Sequence, residues 1–413
     1  MTETKLGRHP SALAPLSNPA FRAIWIANLM SNIGGWMAGT GAAWEMTSLT
    51  TEPLFVALLA AAGTLPMFLF CFLAGILADR FERKRYIIVC QFWMMGVAAT
   101  LAVLAFLGHL TAWNLLALSF CMGLGNAMNG PAWHAVVPEI VAGPQLRPAI
   151  ALNSAGFNLA RTIGPVIGQM LLGLVGVFLL FAINTLTYIG VIAAIGAWKR
   201  PAEAHASQRR EGFIEAARTG IAFVRESAEL KAIFARGVCF FAPGIAMGTL
   251  LPVIGRFELK LDEFSFGVLY AVFGVGAVAG ALSMPTVNRL FGANRANIWA
   301  MGITAAGTLA AALAMTPLVV GIVVTLNGAC WMTVIANNGA SVQMILPNFM
   351  RARGMAVHQM LFFGSMVMGS MLWGKVADLW SVQTALILSA LALLPLTALA
   401  ASIRLPGSTT LRA

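Results

Sequence analysis

Motifs for covalent chemistry are missing from this chain: it has no G-x-S-x-G, no G-x-x-x-x-G-K-[ST], no H-E-x-x-H and no close pair of carboxylates. What remains are polar side chains set singly into apolar runs. Arg161 stands midway along NSAGFNLARTIGPVIG, residues 153–168, in a run that extends from Ala149 to Leu172. On a helical wheel Ser154, Asn158 and Arg161 fall within about 60° of one another. Gly156, Ala160, Gly164 and Gly168 recur at i+4 on a second stripe, the small-residue pattern that lets a neighbouring helix approach closely. Gly164-Pro165 weakens the helix and predicts a bend there. Three more stripes carry Asn and Trp at helical spacing: Asn28, Asn32 and Trp36; Asn126, Asn129 and Trp133; Asn327, Trp331 and Asn338.

The elements that must hold these residues follow from composition. The chain has 413 residues, of which 59% are hydrophobic and 10% charged, with a mean hydropathy of +0.82. Soluble domains carry about 25% charged residues, so this chain has too little polar surface to cover itself in water. Apolar segments recur at roughly 21–47, 54–78, 86–107, 112–138, 149–173, 177–197, 232–255, 264–285, 297–315, 318–346, 354–378 and 383–403. Each reaches the ~20 residues that a helix needs to cross hydrocarbon. Alternating apolar and polar segments of a membrane barrel are absent. The expectation is an all-α polytopic membrane protein. Arg161 must then face the bundle interior, because a charge facing lipid is costly.

Basic residues set the orientation. With the amino terminus in the cytoplasm, all 26 Lys and Arg fall in inside segments except Arg161, Arg256, Lys260 and Lys375. Both termini are then cytoplasmic. The net charge of +11 reflects topology and anionic lipid, not nucleic acid. The five cysteines lie singly within spans, so no disulfide framework, metal site or cofactor site is indicated. Residues 1–20 are polar and the first apolar run is too long for a signal peptide.

The stretch 199–231 breaks the rhythm. It starts polar and becomes amphipathic, with Phe213, Ala217, Ile221 and Val224 at helical spacing, as in a helix lying on a membrane surface. It divides the chain into six-helix bundles at 1–198 and 232–413. Asn129-Gly130 and Pro138 repeat as Asn338-Gly339 and Pro347, both at an offset of 209, as parallel repeats would.

GILADRFERKR, residues 75–85, resembles the G-x-x-x-D-R-x-x-R-[KR] loop between the second and third helices of the major facilitator superfamily. ALNSAGFNLARTIGPVIG at 151–168 and Asn184 in INTLTY resemble the branch that contains bacterial enterobactin exporters and macrolide-efflux proteins. The resemblance implies twelve transmembrane helices in two six-helix bundles, alternating access, and a place in the bacterial inner membrane. It makes Gly75, Asp79, Arg80, Arg83 and Lys84 a gating motif. Asp79 would hold the amino-terminal end of the eleventh span, near Arg351 and Arg353, in one state and release it in the other; the simpler reading is a basic loop that only fixes topology. The resemblance also places the three Asn/Trp stripes on cavity-lining helices, giving a neutral, aromatic, hydrogen-bonding lining suited to a bulky amphipathic compound. Any one of those asparagines could instead bridge two helices. Gly35 stands where many relatives carry an acid, and the second-half counterpart of the loop, GALSMPTVNRLFGANR at 280–295, lacks its acid.

Two readings of Arg161 stay open. Asn, Ser, carbonyls or water satisfy it as a structural tie, or it meets an anionic or oxygen-rich substrate or a gating network. For the whole chain the leading expectation is a monomeric, proton-coupled exporter of a siderophore or drug. An importer on the same fold and a non-transporting sensor or scaffold are the alternatives. Glu45, Asp79, Glu139, His134 and His358 are the candidate titrating groups.

Overall fold

The computed structural model describes residues 13–141, 143–199, 213–347 and 350–402. All regular structure among them is helical. The helices are α1 (Pro19–Leu49), α2 (Pro53–Arg80), α3 (Arg83–Phe106), α4 (Ala112–Ile140), α5 (Leu146–Ala197), α6 (Phe213–Glu226), α7 (Ala228–Gly244), α8 (Ala246–Val253), α9 (Glu263–Phe291), α10 (Ala293–Leu313), α11 (Pro317–Ile345), α12 (Arg351–Leu379) and α13 (Val382–Ser402). Starts are marked by polar caps that accept from free backbone N–H groups: Asn18 before α1, Thr111 before α4, Ser227 before α7, Asp262 before α9 and Thr316 before α11. Pro19, Pro53 and Pro317 occupy first-turn positions, where no N–H is needed.

Among the described residues, nine helices are long and apolar enough to cross a membrane, one of them a 55-residue stretch from Gly143 to Ala197. That stretch holds two crossings. Gly176, at φ 78° and ψ 171°, turns the chain inside α5, a conformation a side chain would oppose. α1 and α4, with 31 and 29 residues, also span the required length. They fall outside the nine because they carry the Asn-rich stripes. Twelve crossings result, in two six-helix bundles. The seventh differs from its expected form: it begins earlier, at Ala228, and continues through α7 and α8 into a π-helical turn, Ile254–Glu258. Pro243 and Pro252 lie at its irregularities.

Lipid offers helices no hydrophobic drive to associate, so close packing must hold them. Glycines supply it. A methyl at Gly164 would press on Trp36 and the Ile33 carbonyl, and one at Gly168 on Met37, so α5 lies against α1 along its small stripe. Gly123 of α4 meets the Gly63 carbonyl of α2, and Gly276 and Gly280 of α9 meet the carbonyls of Thr325 and Ala329 on α11. Between the halves, Thr162 and Gln169 of α5 seat on Gly274 and Gly267 of α9, and Phe68 of α2 seats on Gly364 of α12. Pro165 sits within continuous helical backbone, and Gly176 is the only residue in α5 with non-helical angles.

The two ends of the molecule differ. One, the basic face, carries Arg22, Arg80, Arg83, Lys84, Arg85, Arg147, Arg289, Arg295 and Arg353 at helix termini. At the opposite face a single buried cluster draws on both halves, from Trp44, Met46, Leu115 and Leu180 to Leu250, Phe266, Trp373 and Leu386. Other clusters are more local, with Ile24, Ile87, Val136 and Ile195 in the first half and Phe240, Met301, Val334 and Leu393 in the second, and at the basic face Phe72 of α2 packs against a cluster of the second half that includes Leu230, Leu346 and Val357. α6 packs on α7 and α12 through buried Val224, with Gly220 on the Arg353 backbone; it is an integral strut, not a free surface helix. Of its expected apolar stripe, the side chains of Phe213 and Ala217 lie outside the described residues.

Arg236 corrects the sequence reading. Expected in an inside loop, it is 1% exposed within α7 and donates to the Asn294 side-chain oxygen and the Ala400 carbonyl. The early start of α7 carries it two turns into the bundle.

Candidate functional site

Arg161 lies on α5 between the bundles. Its Cζ stands 6.0 Å from the centroid of the Phe273 ring, on α9 of the other half. Its Nε is buried without a hydrogen-bond partner. Asn158, on the same face, spends its amide on the Ser154 carbonyl one turn back, at 2.9 Å. Phe273 continues into a cavity of about 60 Å³ lined also by Ile245, Met247, Leu251, Thr304, Val324, Asn327 and Trp331. Asn327 is 8% exposed and its Oδ1 has no partner. Trp331 is braced by Phe240 and Phe241, with ring centroids 5.6 and 5.1 Å away. Every lining residue belongs to the second bundle, and bulky ligands need cavities of about 300 Å³ or more, so this space must widen before it admits one.

The remaining predicted residues separate into groups. On α1, Asn28, Asn32 and Trp36 are half-buried, and Trp36 meets Phe157 edge-on at 6.1 Å. On α4, Asn126 is exposed and Trp133 half-buried, while Asn129 accepts from Gln91 of α3 at 3.4 Å. Asn338 is 1% exposed and accepts from Asn297 of α10 at 3.1 Å. Asn297 in turn accepts from Asn337 at 2.9 Å, and Asn337 and Asn288 exchange bonds at 2.7 and 3.3 Å. Asn338 thus belongs to a buried amide chain that ties α9, α10 and α11, three turns from Asn327. Asn288, Asn297 and Asn337 escaped the sequence reading; their one signal was an acid-free loop counterpart rich in Asn.

The gating motif is largely engaged within its own half. Arg83 donates to Glu139 of α4 at 2.8 Å, and Lys84 donates to the carbonyls of Gly196 and Trp198 at the end of α5, at 2.8 and 2.7 Å. Arg80 is exposed, and a methyl at Gly75 would meet nothing. The side chains of Asp79 and Arg351 lie outside the described residues.

A second constellation, unread in the sequence, seals the opposite face. Trp44 of α1 is 3% exposed and donates from Nε1 to Glu263 of α9 at 3.4 Å. Its ring lies 4.5 Å from that of Phe266 and 5.2 Å from the Arg256 guanidinium. Arg256 also donates to Ser48 at 2.7 Å. Arg256 stands in the π-helical turn, and Lys260 just beyond it has φ 51°. A π turn and a left-handed non-glycine residue so close together mark a segment shaped by its contacts. Residues some 200 positions apart meet here, which no local periodicity could announce.

Comparison with known proteins agrees with this architecture. A family model described as transmembrane secretion effector matches residues 10–412. Macrolide efflux protein A of Streptococcus pyogenes is 22% identical over 269 residues, covering 62% of this chain and 66% of that protein. The enterobactin exporter EntS of Escherichia coli O1:K1 is 25% identical over 272 residues, covering 65% and 63%. The chain thus spans less than two thirds of the length of these relatives. Among solved structures, the nucleoside transporter NupG superposes with a TM-score of 0.73 at 12% identity, covering 93% of this chain and 98% of that one. A bacterial homologue of the lysosomal transporter Spinster, inward-facing and unoccupied, gives 0.67 at 12%, covering 93% and 95%. At such identities these structures speak for the fold alone.

Proposed function

We propose that this chain, which belongs to the transmembrane secretion effector family of the major facilitator superfamily, is a secondary active exporter of a bulky amphipathic small molecule. It is a multi-pass membrane protein, and family and fold alike point to a transporter rather than an enzyme. The observation that carries the reading is the position of Arg161. The guanidinium of the first bundle sits against Phe273 of the second, and behind that ring lies a small, mostly apolar cavity within the second bundle, lined also by Trp331 and Asn327. Residues 1–198 and 232–413 rock about this site, with α6 as a strut against the second bundle. The basic face lies in the cytoplasm, because its arginines and lysines favour that side. In the form described here the clasp around Trp44 closes the opposite face, so substrate enters from the basic face. Efflux as the direction is supported by the named activities of the macrolide and enterobactin relatives.

The test is efflux of a panel of macrolides, catecholate siderophores and dyes from cells that express the chain in a pump-deficient bacterial background. Faster efflux of at least one compound than from cells carrying empty vector is expected. Equal retention of every compound, with the protein present in the membrane, would count against export.

A further inference from the structure

The charges of the membrane interior do not balance. Arg161 lies fifteen residues from Leu146, where α5 begins, and fifteen from Gly176, where it turns. At 1.5 Å per residue that is about 22 Å from either end, the middle of the membrane. Among the described residues no acid shares this depth. Glu45, Glu258, Glu263 and Asp378 stand near helix ends at the opposite face, Glu139 and Glu229 near helix ends at the basic face, and Glu52, Glu82 and Asp262 in connections. The groups that do face Arg161 are a ring and, past it, the unpartnered Oδ1 of Asn327. Arg161 is half-buried with its Nε enclosed; a partly desolvated cation without a counter-charge is costly, and a bound anion lowers that cost.

We propose that the transported molecule is an organic anion with an aromatic or apolar body. Its negative group pairs with Arg161, and its body is held between Phe273 and Trp331. The inside-negative membrane potential, acting on the charge of the substrate itself, drives it outward without proton exchange. This rests on the exporter reading above. Exchange for a proton would need a group that titrates near neutral pH at the substrate's depth. His134 of α4 and His358 of α12 each lie about two turns from the basic-face end of their helix, and His358 is stacked on Phe234 at 5.7 Å. Phenols and thiols ordinarily titrate above neutrality.

The experiment uses the purified full chain in liposomes, with potentials set by potassium and valinomycin and pH gradients set separately. Two dyes on one ring frame serve as probes, anionic fluorescein and cationic rhodamine 6G. At 100 mV, positive inside, fluorescein accumulates by about 40-fold for each net negative charge carried, from 2.3 kcal/mol at 1.4 kcal/mol per tenfold. Collapsing the pH gradient leaves that accumulation unchanged. Arg161→Gln abolishes it while the variant keeps the wild-type melting temperature, and Arg161→Lys retains the preference for the anion at lower affinity, having lost the planar fork. A stationary fluorescein, a preference for rhodamine 6G, or a requirement for the pH gradient would overturn the inference. Each of those results leaves export itself to be judged by the cell panel. Should Arg161→Gln not fold, the sign and potential dependence of wild-type transport decide the matter.

Discussion

Trp44→Ala tests whether the clasp at the opposite face holds the molecule in the form described. Trp44 is 3% exposed and makes three contacts across the halves: the Phe266 ring at 4.5 Å, the Arg256 guanidinium at 5.2 Å and Glu263 at 3.4 Å. An aromatic pair contributes about 0.5–1.5 kcal/mol and a cation–π contact about 0.5–2. A hydrogen bond this long contributes no more than about 1 kcal/mol. Together the contacts stabilise the closed face by roughly 1–4.5 kcal/mol, and a value of about 2, in the lower half, is the safer one because Arg256 is only half-buried. Removing 2 kcal/mol shifts the closed-to-open ratio about 30-fold. A molecule closed 100 to 1 would become closed only about 3 to 1. Spin labels at the exposed positions Thr51 and Glu258, one on each half, report that ratio as two distance populations. The long-distance population should become plain in Trp44→Ala and grow less in Trp44→Phe, which keeps one aromatic ring and loses the N–H and part of the indole surface. A distribution unchanged by Trp44→Ala, in a variant that remains folded, would refute the clasp as the seal.

Three other outcomes follow from the same geometry. Gly276→Ala places a methyl on the Thr325 carbonyl oxygen and should destabilise the protein by about 2 kcal/mol or more in thermal unfolding, whereas Gly302→Ala, with open space around it, should be near neutral. Asn297→Ala strands both Asn338 and Asn337 in a buried site, at about 1–3 kcal/mol for each group, and should lower the melting temperature in detergent clearly. Asp262 caps α9 by accepting from the Ser265 backbone N–H at 3.1 Å, and this bond holds its carboxyl below the ordinary range. Its contribution is therefore present above the ordinary carboxylate pKa and lost as pH falls through the depressed value. Asp262→Ala should cost about 0.5–1 kcal/mol at pH 7 and less in strong acid, where only a neutral acceptor remains to be lost, and Asp262→Asn should keep the cap without that acid sensitivity.

The apolar runs made the twelve crossings readable, because length and hydropathy are properties of single segments. Arg161 was readable for a related reason: one charge in such a run can point only inward. Its neighbours were not, since a helical wheel tells which side of a helix faces the bundle but not which helix comes to meet it. Asn327 and Asn338 show the difference. They share a face of α11, yet Asn327 borders the cavity while Asn338 is bonded to Asn297 three turns away. The Trp44 clasp joins side chains 219 positions apart at one of its bonds. The π turn that aims Arg256 left no mark in composition.

The offset of 209 reaches further than the Asn-Gly pairs that revealed it. Counted back by the same offset, Asn338 falls on Asn129 and Asn288 on Asp79. In both halves the fourth span uses this asparagine to accept from the third, from Gln91 in one and Asn297 in the other. At the second pair the halves part. Asn288 has an amide where the first half has a carboxylate, and both ends of that amide are taken by Asn337 inside its own bundle. A neutral group bonded at both ends has little left to offer a helix of the other half. At this position the second half thus lacks the carboxylate that the first half carries in Asp79. The second half instead keeps its ends fixed through Asn288, Asn337, Asn297 and Asn338, with Arg236 held by Asn294 and the Ala400 carbonyl nearby. Among the described residues, two bundles built on one repeat thus differ at the basic face: the second is tied there by a chain of neutral amides, where the first bonds its charged Arg83 and Lys84 within its own half.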